Sequence, residues 1–213
     1  MSEENTGSKY GELIGCEEMH FAEVNSDTAE TYEAAAPEYL APTAEITHEA
    51  AVAVNTRDYD NKPMFSTASE AATEVTIAVS GIPVELAAKL TGKPYKNGQL
   101  IDTGDVSRAP YFALSGRMNL GDGGYRYFQY LKGMFSIGAE TAHTKEDDIT
   151  VNTTELTYTA INTICSKFDV DAEAYPNGTS IKGVKGDTTD INFTGAAGWF
   201  TEVQKPAYVV AGV

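Results

Sequence analysis

From Thr73 to Ser80 the side chains alternate without a break. Val75, Ile77 and Val79 point one way, and Glu74, Thr76 and Ser80 the other. A period of two builds a strand with one buried face and cannot line up a single face of a helix. A similar pattern runs from Thr43 to Val54, where Ile46, His48, Ala50, Val52 and Val54 share a face and Glu45, Thr47 and Glu49 take the other. Two aromatic-rich runs, Ala109 to Met118 and Tyr125 to Ile137, flank Asn119-Leu120-Gly121-Asp122-Gly123-Gly124, whose three glycines suit a hairpin turn. Thr150 to Cys165 is a further long strand, with Leu156, Tyr158, Ala160 and Ile164 on one face. Glu155, Thr157, Thr159 and Thr163 take the other, and Cys165 lies with them.

A helix is expected only at Ile82 to Gly92. Pro83 suits its first position, Glu85 its positive end and Gly92 the residue just past its end, with Leu86 and Leu90 as one apolar stripe. The chain therefore reads as mainly β, a β-sandwich or half-barrel with one flanking short α-helix at about 82–91. Its 213 residues suffice for one domain with a core of ordinary size. Within that single domain, residues 1–41 read as an extended amino-terminal arm punctuated by Pro37 and Pro42, 42–168 as the core and 169–213 as a carboxy-terminal extension. A last strand or turn falls around Trp199-Phe200-Thr201. Residues 55–72 lack periodicity and read as a long connection, and 93–107 as a polar loop.

Charge narrows the functional classes. The chain carries 31 Asp and Glu against 15 Lys and Arg, a net charge of −16, and residues 1–70 hold 15 of the acids with only 3 bases. Affinity for DNA comes largely from Lys and Arg on phosphates, so a DNA-gripping protein is excluded, as is docking on an anionic membrane. The polar, acidic start Met1-Ser2-Glu3-Glu4-Asn5-Thr6 predicts no signal or transit peptide, and no apolar run is long enough to span a bilayer. Without a secretion signal, Cys16 and Cys165 read as reduced thiols, and the sequons at Asn152, Asn177 and Asn192 as chance.

No catalytic constellation emerges. His20, His48 and His143 have no second His or Cys at a metal-ligand spacing, and His48 reads as a satisfied core histidine. Neither cysteine has neighbours that would lower a thiol pKa. Ser80-Gly81 and Ser115-Gly116 form no nucleophile elbow. Gly121 to Gly124 is followed by a strand, whereas a phosphate loop needs a helix. Glu146-Asp147-Asp148 lacks the alternate spacing of a calcium loop and reads as a solvated charge run. The expectation is no enzyme, no metal and no cofactor.

An ordered series of segments resembles the major tail proteins, or tail-tube proteins, of long-tailed bacteriophages of Gram-positive hosts. The series comprises Glu12-Leu13-Ile14-Gly15-Cys16-Glu17, Pro42-Thr43-Ala44-Glu45-Ile46 and Thr76 to Pro83 running into a helix that closes at Leu90-Thr91-Gly92. It continues with Arg108 to Leu114, Gly124 to Phe135 and Thr144-Lys145-Glu146 with the strand after it, and so covers roughly residues 10–168. The resemblance implies a virion protein, made in the host cytoplasm, whose subunits form rings, usually hexameric, stacked into a hollow tube. In that family the tube encloses the tape-measure protein during assembly, meets tail-terminator or baseplate proteins at its ends, and lets DNA pass without specific binding. Arg57, Asp58, Tyr59, Asp60, Lys62, Met64 and Phe65, of both charge signs and with two aromatics, are the residues expected to contact the next ring. The alternative is a carbohydrate- or receptor-binding β-sandwich with Tyr125, Tyr127 and Tyr130 as its platform.

Overall fold

The computed structural model describes residues 11–59, 62–105, 108–138 and 153–209; for 58, 59, 63–65, 67 and 68 it describes the backbone only. The chain is mainly β, with a curled half-barrel sheet and one short α-helix. In chain order the elements are β1 (Leu13–Asp27), β2 (Tyr32–Ala34), β3 (Glu38–Tyr39), β4 (Thr43–Tyr59), β5 (Lys62–Val79) and α1 (Val84–Thr91). The hairpin strands β6 (Tyr95–Lys96) and β7 (Gln99–Leu100) follow, then β8 (Phe112–Leu120), β9 (Tyr125–Ile137), β10 (Thr154–Ala160), β11 (Gly183–Asp187) and a 3-10 turn at Gly195–Gly198.

The main sheet runs β2-β1-β8-β9-β10-β5-β4, with β3 beside β1 and β11 beside β9. The expected alternation in β5 holds, since Val75, Ile77 and Val79 are all fully buried. They pack with Met19, Phe21, Phe112, Leu114, Phe128, Tyr130, Phe135, Leu156 and Tyr158 in the main core. A register shift in the β8–β9 ladder, between the pairs Leu114↔Tyr130 and Phe112↔Gly133, adds one residue on β9. That bulge changes the parity of the strand, so Phe128, Tyr130 and Phe135 share the core while Leu131 joins a second cluster. In the second cluster the carboxy-terminal segment lays Cys165 and Phe168 against Tyr32 and Leu131.

Several boundaries differ from those read in the sequence. Residues 13–41 do not form a free arm. β1 lies inside the sheet against β8, because Met19, Phe21 and Ala22 have an apolar face to bury. The helix starts at Val84, since Pro83 keeps an extended ψ of 146° and is the N-cap rather than the first helical residue; Gly92 caps the other end at φ 69°. The 93–107 stretch contains a small hairpin turning at Asn97 and Gly98, both with positive φ. The strand expected over 150–165 is described from Thr154 and ends at Ala160. Ile164 is exposed and Cys165 buried, the reverse of the expected faces, because Asp27 draws their amides out of the sheet. Near Trp199 the chain forms the 3-10 turn, whereas β11 at 183–187 had no expected counterpart.

Candidate functional site

Residues 55–59 and 62–72 form a β-ribbon and not a loop. β4 and β5 stay paired from Thr43↔Val79 to Tyr59↔Lys62, whereas β10 leaves β5 at the pair Ala160↔Thr73. Past Thr73 the hairpin therefore continues with only two strands. Residues 51–57 are all exposed, including Val52 at 57% and Val54 at 62%. Periodicity failed to mark this ribbon because residues 55–57, 62, 66 and 69–71 are all exposed, so nothing selects alternating apolar residues there. The register brings the expected contact residues together at the outer end through Arg57↔Phe65, Asp58↔Pro63 and Tyr59↔Lys62, with Met64 next to them in β5. Asp60 lies outside the described residues, as do His143, Asn152 and Glu146-Asp147-Asp148.

At the ribbon's base lies a half-open cleft of about 320 Å³ between β4–β5 and β11. Lys182 forms one wall. Its Nζ donates to Glu70 Oε1 (2.7 Å), the Ala71 carbonyl (2.7 Å) and Thr73 Oγ1 (3.1 Å), which uses all three of its protons. His48 forms another, with Nδ1 3.1 Å from the Tyr130 hydroxyl and its ring edge-on to Phe128. Its Nε2 is buried with no partner among the described residues, so the satisfied core histidine of the sequence reading is only half satisfied. Burial, reinforced by the positive charge of Lys185, lowers the His48 pKa to about 4. The imidazole is therefore neutral near pH 7. Lys185 itself makes no ion pair among the described residues.

A second feature lies on the β10-β5-β4 part of the sheet, on the face opposite Val75 and Ile77. The register sets Glu155, Ala78 and Glu45 in one row, Thr157, Thr76 and Thr47 in the next, and Thr159, Glu74 and Glu49 in the third. All four glutamates are exposed, and Glu49 stands directly opposite Glu74. None makes an ion pair among the described residues. Like charges directly across a ladder oppose pairing.

The remaining candidates from the sequence fall elsewhere. Tyr127 and Tyr130 are buried at 5% and 6% exposure, and Tyr125 covers the Arg117 guanidinium 4.5 Å away, so the three do not form an open aromatic platform. Gly121 to Gly124 is a hairpin turn, with Gly123 at φ 87° and its amide donating to the Leu120 carbonyl. Burial pushes the Cys16 thiol up, and Glu45 and Glu17 add to the rise, so it is a poor nucleophile. His20 stacks on Phe200 at 4.6 Å. Among the described residues no group of three His, Cys, Asp or Glu is placed to hold a metal ion, and no helix is long and apolar enough to cross a membrane. Lys182 and Lys185 stand in the sequence as two bases, Gly183 and Val184 between them, complementary to the acidic first 70 residues, but nothing in the sequence sets them beside His48.

The chain matches no protein-family model. A comparison with curated proteins finds no match either.

Proposed function

We propose that this chain is a structural subunit that self-assembles into stacked rings, of six copies as the resemblance implies, forming the hollow tail tube of a bacteriophage virion. The β4–β5 ribbon carries this reading. A two-stranded ribbon is at best marginally stable alone in water, and this one holds two valines in solvent and leaves the outer edge of β4 unpaired among the described residues. Packing against further copies would bury those valines and satisfy that edge.

The acidic rows of β4, β5 and β10 support the same reading. A face of threonines and unpaired carboxylates with no base offers a DNA phosphate nothing to bind, so a lumen lined by it lets the genome slide. The tape-measure protein and the terminator or baseplate proteins are the further partners this reading brings. The buried positions of Tyr127 and Tyr130 give the carbohydrate-binding alternative no comparable support.

Negative-stain electron microscopy of the purified chain tests the proposal. Rings or tubes with a central channel are expected. A chain that remains monomeric at high concentration, across salt and pH, would sink it.

A further inference from the structure

β10 and β11 both pair antiparallel with β9, β10 at residues 133–137 and β11 at residues 126–130. They therefore run in the same direction, one after the other, along one side of β9. On its other side β10 is paired with β5, and β11 is paired with no strand among the described residues. The ribbon diverges there, and the cleft of about 320 Å³ opens between β11 and the base of β4–β5.

The hydrogen-bond parity of β11 shows which groups face this cleft. The Leu131 amide donates to the Lys182 carbonyl, and the Thr188 amide to the Tyr125 carbonyl. Even-numbered residues of β11 therefore turn their main-chain groups toward β9, and Gly183 and Lys185 turn theirs away from it. An edge of this kind, with donors and acceptors unpaired among the described residues beside a cleft, is a template for an added strand. Five residues at about 3.3 Å each give it a length of about 16 Å.

Charge selects the occupant. Glu70 is bound by Lys182 and only more distantly attracted by Lys185, His48 is neutral, and Lys185 makes no ion pair of its own among the described residues in a chain of net charge −16. We infer that the cleft receives one extended, acid-bearing segment of a second copy of this chain, which pairs with the open edge of β11 and sets a carboxylate against Lys185. The contact joins different surfaces of the two copies, and such a heterologous contact repeats into a ring or a helical stack. The inference rests on the self-assembly proposed above and names one contact within it.

Lys185→Pro tests the contact directly. It removes an amide that does not serve the β9 ladder, and an edge strand tolerates proline where its N–H faces outward. The variant should keep the wild-type far-UV spectrum and raise the concentration needed for assembly at least tenfold, with Lys185→Glu acting in the same direction. Wild-type assembly by a folded Lys185→Pro overturns the inference and leaves the tube reading standing. In the wild-type protein, the Gly183 and Lys185 amides should exchange with deuterium at least a hundredfold more slowly in the assembled state than in the monomer. Equal exchange in the two states overturns the inference whatever the proline variant does. A wild-type chain that never assembles overturns both readings.

Discussion

Lys132 Nζ lies 2.7 Å from Asp27 Oδ2, and the two side chains are only 6% and 5% exposed. The carboxylate also accepts the amides of Ile164 (2.8 Å) and Cys165 (2.9 Å), while the ammonium sits 4.6 Å from the centre of the Tyr111 ring. One buried anion thus ties the end of β1 to β9 and to the start of the carboxy-terminal segment. Removing one partner of such a pair strands a charge in the interior, at about 3–5 kcal/mol. Asp27→Ala should lose that much stability in urea unfolding. The double variant Asp27→Ala/Lys132→Met should lose clearly less, and equal losses would show that the charge is not the issue.

Acid should destabilise the fold in two windows. His48 is held at about 4, against an ordinary value of about 6.5, so as pH falls the unfolded chain takes up the proton first. Stability is full above about pH 6.5 and declines toward pH 4. Burial alone would raise the Asp27 carboxyl, but the Ile164 amide, Lys132 and the Cys165 amide together hold it below its ordinary value. Its contribution is intact above about pH 3.9, the unfolded value, and is lost as pH falls through the folded one. Urea midpoints at pH 7.5, 5.5 and 4.5 should show a decline that His48→Gln flattens. An equally steep decline in the variant would remove His48 as its cause.

Gly133 sits where β8, β9 and β10 meet, opposite both Phe112 and Ala160. A Cβ there would collide with the Tyr158 ring and would lie 2.5 Å from the Thr159 carbonyl oxygen. Tyr158 cannot retreat, because it is fully buried and its hydroxyl donates to the Phe112 carbonyl. Gly133→Ala should cost about 1–3 kcal/mol or more as an overpacked core. A thermal melt matching wild type would show that the bulge region repacks freely.

The ribbon valines separate folding from assembly. Val52→Lys and Val54→Lys alter exposed positions, so each should change stability by no more than about 0.5 kcal/mol. If the ribbon docks on neighbouring copies, the double variant should fold normally and form no tubes. Normal tubes from it would remove the ribbon from the interface.

Salt gives the last test. Exposed charges interact over about 10 Å at 0.1 M salt. With −16 per copy and the Glu49–Glu74 opposition within each sheet, repulsion should dominate, so assembly should strengthen as salt rises or as pH falls toward the pI of 4.4. Light scattering across an ionic-strength series reads the sign. Assembly that weakens with salt would put the attraction at Lys185 ahead of the repulsion.

The parts of the fold that were legible in the sequence are those where burial enforces a period. Val75, Ile77 and Val79 announced β5, and the run from Tyr125 to Ile137 announced β9, because each strand has a face in the core. The outer ribbon was illegible for the opposite reason, since residues 55–57 bury nothing, and the alternation through Val52 and Val54 pointed to a core face where both are exposed. β11 is five residues long with two glycines and takes its place from pairing with β9, which is a distant partner in sequence. The role of Asp27 was hidden for a similar reason, because its partners lie 105 to 138 residues away. The cleft inherits both difficulties, since it is framed by the ribbon on one side and β11 on the other.

The order of strands in the sheet also dictates a schedule on the ribosome. β1 waits for β8, and β5 waits for β10, so the middle of the sheet is made after its flanks. β1 keeps an open edge until about residue 120 has emerged and β5 until about residue 160, and at about 5–20 residues per second each interval lasts several seconds. Exposed edges of this kind invite aggregation. The concentration of acid in the first 70 residues, 15 carboxylates against 3 bases, places like charge on those edges for that interval. The same excess of charge that would oppose the proposed assembly thus serves as the newborn chain's own solubilising agent.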